Sequence, residues 1–220
     1  MKRFVSVLLA AMMIFSAFSL SGFAQNSKAE EFFEKITNGV DEITLKLNIY
    51  DPETESRISV VFFRKGDAIA FESDLPVGNE VPSFLGKIKL VIKGESVRLF
   101  FPLVPFVSIK VPFETVEGVL SDVGDPDLTF VNAEEKDIDG TKCCVETYTA
   151  EDGGIVEYTY RDDELLSITA TDPDGNLISD IYVEEVSYSA AWYQFLTPFI
   201  TIDFNDGFID IDDLKISGTL

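Results

Sequence analysis

From Glu42 to Ile49 the chain alternates without a break. Ile43, Leu45, Leu47 and Ile49 fall on one side, and Glu42, Thr44, Lys46 and Asn48 on the other. A period of two marks a strand with one buried and one wet face. After the turn signal "DPETE", the runs "RISVVFFRKG" and "AIAFES" extend the same habit. "KIKLVIK", a Gly94-Glu95 turn and "SVRLFF" form a predicted hairpin, and "FVSIKV" alternates again. In the second half "LTFVNAEEKDI", "TKCCVETYT", "IVEYTYR", "ELLSITAT" and "LISDIYVEEVSY" are separated by Asp139-Gly140, Asp152-Gly153-Gly154, Asp162-Asp163 and "DPDGN". Strands this short, with turn signals every 8–12 residues, predict an antiparallel meander.

Helical periodicity is confined to small regions. "SKAEEFFEKITN", Ser27 to Asn38, carries an apolar stripe of Phe32, Phe33 and Ile36. Ser27 is placed to cap it, Glu30 to complete a capping box, and Gly39 to end it. A second short helix is predicted over Glu114 to Asp122. One long sheet with few helices is an α+β architecture. Nothing repeats at a fixed period and no low-complexity linker divides the chain, so residues 25–220 are expected to form one domain.

The first residues stand apart. Lys2 and Arg3 precede an apolar run from Phe4 to Leu20, and Gly22-Phe23-Ala24 supplies small residues for a peptidase. This is the pattern of a cleavable signal peptide over residues 1–24. The run falls short of the ~20 residues of a membrane span. The expected location is therefore secreted or extracytoplasmic.

Charge changes the picture in two ways. The chain carries 17 basic and 39 acidic residues, a net charge of −22, and no histidine. Such an acidic chain repels phosphate backbones, so nucleic acid is excluded as a partner. Absence of histidine removes the commonest general base and metal ligand. There is no G-x-S-x-G, Gly-rich phosphate loop or H-E-x-x-H, so no catalytic residue, metal site or cofactor is expected. The acids are unevenly spread. From Val81 to Phe113, Lys87, Lys89, Lys93, Arg98 and Lys110 stand against Glu95 alone, in the most apolar part of the chain beyond the leader.

Acidic loops offer weaker signals. "DPDGN" and "DFNDGFIDIDD" have calcium-loop composition but not its register, and each reads first as a solvated turn. The unusual segment is "FPLVPF". Phe100, Phe101, Leu103, Val104 and Phe106 crowd around Pro102 and Pro105, which disfavour a central strand. So apolar a loop either folds back onto the core or forms the wall of a ligand groove. "AAWYQFLTPFITIDF" poses the same choice, as a closing strand on the core or as aromatic lining. Phe100, Phe101, Val104, Phe106, Trp192 and Phe195 are the candidate ligand-binding residues.

Cys143 and Cys144 are adjacent, with Cα atoms ~3.8 Å apart, too close for the 4.4–6.8 Å of ordinary disulfides. In a strand they point to opposite faces. Cys143, beside Val145, is expected in the core. Cys144, beside Lys142 and Glu146, is expected toward solvent or the open side of the sheet, where an intermolecular disulfide is open to it.

Taken together, a leader, an N-terminal helix, a long meander and the run "DIDGTKCCVETYTAEDGGIVEYTYRDDELLSITATDPDGNLISDIYVEEVSY" resemble the LolA-like superfamily of exported half-barrels. That resemblance implies a curved sheet wrapped around helices, with an apolar hollow for acyl chains. It implies a non-catalytic carrier of a lipid, acyl chain or lipidated protein, and assigns no ligand residue. The alternative is an envelope structural or interaction module with a filled core.

Overall fold

The computed structural model describes residues 27–51, 55–74, 86–102, 106–111 and 128–203. The proposed signal peptide, the Glu114 to Asp122 helix, Val104 and the "FNDGFIDIDD" tail lie outside these residues.

Helix α1, Lys28–Glu34, begins as its sequence dictates, with the Ser27 hydroxyl accepting the Glu30 N–H at 3.0 Å. It then widens into a single π turn, Lys35–Gly39. Gly39 does not take the left-handed conformation of a C-cap, because the chain leaves the π turn directly into the extended Val40.

Twelve strands follow: β1 Glu42–Asp51, β2 Ser56–Lys65, β3 Ala68–Asp74, β4 Lys87–Lys93, β5 Ser96–Phe100, β6 Val107–Val111, β7 Thr129–Ile138, β8 Thr141–Thr149, β9 Ile155–Arg161, β10 Glu164–Thr171, β11 Leu177–Ser187 and β12 Ile200–Asp203. They form one sheet, in the order β12-β6-β5-β4-β3-β2-β1-β11-β10-β9-β8-β7. The sheet is open and curved, and with one α-helix it makes an α+β half-barrel. Two meanders, β1 to β6 and β7 to β11, are zipped together where β1 pairs with β11. Asp139 and Gly140 both have positive φ, the geometry of the tight hairpin turn that an Asp-Gly pair favours.

Strand alternation separates the two faces of the sheet. Leu45, Phe62, Phe71, Leu90, Leu99 and Ile109 lie opposite one another in successive strands, forming one row on the face that carries α1. Phe32 and Phe33 of α1 and Ile36 of the π turn sink into this face with Leu45, Leu47, Phe62, Tyr148, Tyr158 and Tyr160. The contacts are edge-on, with Phe33 6.0 Å from Tyr158 and Phe32 6.5 Å from Tyr160 between ring centres.

Beneath the start of α1 lies a buried carboxylate on β8. Glu146 is 4% exposed. It accepts the backbone N–H groups of Lys28 at 2.7 Å and Ala29 at 3.1 Å, and the Tyr148 hydroxyl at 3.2 Å. The helix start thus receives a charge suited to its free N–H groups. Burial, with Glu146 nearby, pushes the Tyr158 and Tyr160 hydroxyls well above the ordinary tyrosine range. Tyr160 is fully buried and its hydroxyl has no hydrogen-bond partner among the described residues. Tyr160→Phe removes only that orphan group. It is expected to leave chemical-denaturation stability unchanged or to raise it by up to about 1 kcal/mol, since an unsatisfied buried hydroxyl is itself a cost.

The expectation for the cysteines needs one correction. Cys143 is buried as the alternation predicts, but Cys144 does not face solvent. It is half-buried and packs against the core beneath α1. Lys142 and Glu146 suggest a wet face, yet the Glu146 carboxylate is hydrogen-bonded by the helix start, so the strand buries residues on both sides. Desolvation first, then the Glu146 charge, pushes the Cys144 thiol upward, which suppresses its thiolate.

Candidate functional site

The opposite face of the sheet is crossed by a strap. After β11 the chain turns at Ser187, makes a single 3-10 turn at Trp192–Phe195 and continues to β12. β12 then pairs in parallel with β6. The sequence pattern predicts only antiparallel pairing. The parallel pair arises because the strap carries the chain over β1 to β5 and brings it in along the direction of β6.

Polar contacts fasten the strap along its length. Glu42 accepts the Ala190 N–H at 3.1 Å, and the Thr44 hydroxyl donates to the Ser189 carbonyl at 2.7 Å. Arg98 donates to the Thr201 hydroxyl at 2.8 Å. The key fastening is Lys89. Its ammonium donates to the Gln194 side-chain oxygen at 2.7 Å, lies 3.6 Å from Glu72 and sits 5.4 Å from the Phe63 ring centre. Burial pulls the Lys89 ammonium below its ordinary range, and the Glu72 carboxylate opposes the shift. Beneath the strap, Phe63, Ala70, Val91 and Phe100 meet Ala190 and Phe195 in a compact second core.

The candidate ligand-binding residues therefore separate into two groups. Phe100 and Phe195 are brought together, but as buried neighbours inside this second core. Phe101 is half-buried at the end of β5. Phe106 and Trp192 point outward, 60% and 67% exposed. They have company beyond the six candidates. Tyr193 and Leu196 are also exposed, and Phe199 is 82% exposed. Ile200 is paired with Val107, so Phe199 and Phe106 precede partnered residues of two parallel strands and lie at the same end of the sheet. The result is an aromatic ridge, and from Val186 to Ile202 the chain holds no charged residue.

The cations found between Val81 and Phe113 share this face. Lys87, Lys89 and Lys93 alternate along β4. Arg98 pairs with Val91 and with Lys110, and Lys89 pairs with Phe100. All five therefore project on the strap side. Glu72 and Asp74 of β3, and Asp203 of β12 paired with Lys110, are the acids beside them. Glu72 and Asp74 both lie within 4 Å of the Lys87 ammonium.

A concavity lies farther along the strap face. It holds about 430 Å³ and is lined by residues including Asn48, Arg57, Ser167, Asp180 and Tyr182. The Arg57 guanidinium and Asp180 carboxylate are ion-paired across it at 2.8 Å. Its residues come from β1, β2, β7, β9, β10 and β11 and have no linear signature. In the "DPDGN" turn, Asp172 accepts the N–H groups of Asp174 and Asn176, so its carboxylate serves the turn itself. Among the described residues there is no group of three acidic or cysteine side chains able to hold a metal.

No family model and no curated protein matches the chain. Solved structures do. An uncharacterized conserved protein from Thermus thermophilus shares 13% identity at a TM-score of 0.50, over 81% of this chain and all of that one. MucB, in the Pseudomonas aeruginosa MucA/MucB complex, shares 12% identity at 0.43 over 71% of this chain and 55% of its own length. A putative outer membrane lipoprotein-sorting protein domain from Vibrio parahaemolyticus shares 10% identity at 0.27, over 73% and 90%. These likenesses concern the fold alone. An open sheet of twelve strands holding an N-terminal helix, among the described residues, is the half-barrel architecture that the sequence resemblance implies.

Proposed function

We propose that this protein is a non-catalytic, extracytoplasmic binding protein whose ligand is a lipid, an acyl chain or a lipidated protein. The exposed ridge of Phe106, Trp192, Leu196 and Phe199 carries the reading. Folding contributes nothing toward exposing four large apolar side chains on one strap and the adjoining strand start, and a concentration of exposed apolar residues of this kind marks a contact surface. Removing acyl surface from water stabilises a complex by ~25 cal/mol per Å². Phe101, Phe106 and Trp192 make the contact in this proposal, Val104 belongs to the same segment, and Phe100 and Phe195 hold the strap beneath them. The residues carry no histidine base and no nucleophile–base pair, which supports binding over catalysis.

Displacement of a monomeric fluorescent fatty acid tests the reading. The protein is expected to bind the probe in the micromolar range, and Phe106→Ser with Trp192→Ser to weaken binding about tenfold while leaving thermal unfolding unchanged. A protein that neither binds the probe nor retains lipid in native mass spectrometry supports instead the envelope interaction module, which the filled core around Phe100 and Phe195 favours.

A further inference from the structure

The strap face joins two features that the rest of the molecule keeps apart. The chain has a net charge of −22, and its outermost strand β7 alone carries Glu134, Glu135 and Asp137 against Lys136. On the strap side of β3 to β6 and the adjoining β12, five cations face three acids, Glu72, Asp74 and Asp203, a local excess of two positive charges among the described residues. Lys87, Lys93 and Lys110 are exposed there. Beside them runs the uncharged ridge, with Trp192, Tyr193 and Phe199 outermost.

We propose that the strap face docks reversibly onto an anionic lipid bilayer. This inference rests on the reading of the ridge as a contact surface, and names the surface it meets. Trp and Tyr rings favour the level of the headgroups, Phe and Leu the acyl boundary just below, and lysines the phosphates above. The strap face presents all three classes side by side. The acidity elsewhere does not forbid the contact. At physiological ionic strength a charge is screened within ~8 Å, so the local excess governs at the contact. Two weak signals combine, apolar insertion and cation attraction, and together they give a reversible association. A protein partner or a second copy would be matched by a ridge with complementary polar partners. This ridge is flanked instead by a local excess of cations, with Lys87, Lys93 and Lys110 exposed.

Trp192 is the chain's one tryptophan, which makes the test direct. The protein is titrated with vesicles of phosphatidylcholine containing phosphatidylglycerol, and with phosphatidylcholine alone. The expected result is a blue shift of Trp192 emission, quenching by brominated lipid, and co-sedimentation with the anionic vesicles only, all weakened by salt. Lys93→Glu with Lys110→Glu keeps the probe and is expected to lower the partition coefficient about tenfold or more. Phe106→Ser with Phe199→Ser is expected to abolish the blue shift, with circular dichroism confirming that both variants stay folded. Equal binding to neutral vesicles, or an emission shift that follows protein concentration without lipid, overturns the proposal, the latter in favour of self-association. Absence of vesicle binding by a protein that still binds the monomeric fatty acid overturns the docking and leaves the ligand reading intact. Failure of both assays removes both.

Discussion

Glu146→Ala is expected to lower the unfolding free energy by about 3 kcal/mol. Three donors converge on this carboxylate, at 2.7, 3.1 and 3.2 Å, in a site that is 4% exposed. Hydrogen bonds to a charged group contribute ~1.5–3 kcal/mol each, and a buried donor left without a partner costs ~1–3 kcal/mol. The sum exceeds the expected loss, because removing the carboxylate also ends its own desolvation cost. The Lys28 and Ala29 N–H groups regain water only if α1 lifts from the sheet. That separation would expose Phe33, which is fully buried. In a chain of this size the loss corresponds to a fall in Tm of about 6–12 °C. Glu146→Gln keeps one acceptor and the shape of the side chain, so its loss is expected to be about half. Urea unfolding of the three proteins checks the order. A change below about 1 kcal/mol for the alanine variant would show that α1 is held by its aromatic stripe alone.

The same residue shows where sequence reading reaches its limit. The boundaries of β4 and β9 coincide with "KIKLVIK" and "IVEYTYR", because a period of two and flanking turn residues are local properties. The Ser27 cap and the Asp139-Gly140 turn are legible for the same reason. Glu146 is one of 39 acidic residues, and nothing within its strand says that a helix start more than a hundred residues earlier will hydrogen-bond it. Hence the face of Cys144 reads as wet when it is the face beneath α1. The pairing of β1 with β11 is likewise a long-range choice with no local mark. In the candidate site, the cation cluster is visible in the sequence, but its confinement to one face depends on the register of four strands. The strap is the hardest case. Phe195 and Phe199 are the same residue type four positions apart, yet one is 4% exposed and the other 82%. Apolar character alone does not tell which aromatic holds the fold and which is offered to a partner.

That distinction yields the second large effect. Phe195→Ala is expected to destabilise the protein by about 3 kcal/mol, within the ~3–5 kcal/mol typical of buried Phe→Ala changes, whereas Phe199→Ala is expected to change stability by less than about 0.5 kcal/mol. Phe195 fills the space between Phe63, Val91 and Phe100, all at most 7% exposed, and the 3-10 turn that bears it has no side-chain cap of its own. Loss of the ring leaves the middle of the strap held by the Lys89–Gln194 and Arg98–Thr201 hydrogen bonds, between the Glu42 and Thr44 contacts at one end and the β12–β6 pairing at the other. Both of these hydrogen bonds are polar contacts that water can replace. The two substitutions thus separate anchor from ridge. Phe195→Ala acts on denaturant midpoint first, and on vesicle binding only through the loosened strap. Phe199→Ala acts on vesicle binding with the midpoint unmoved. Equal loss of stability in the two variants would mean that Phe199 is an anchor too, and the ridge would then be part of the core rather than a surface held ready for a partner.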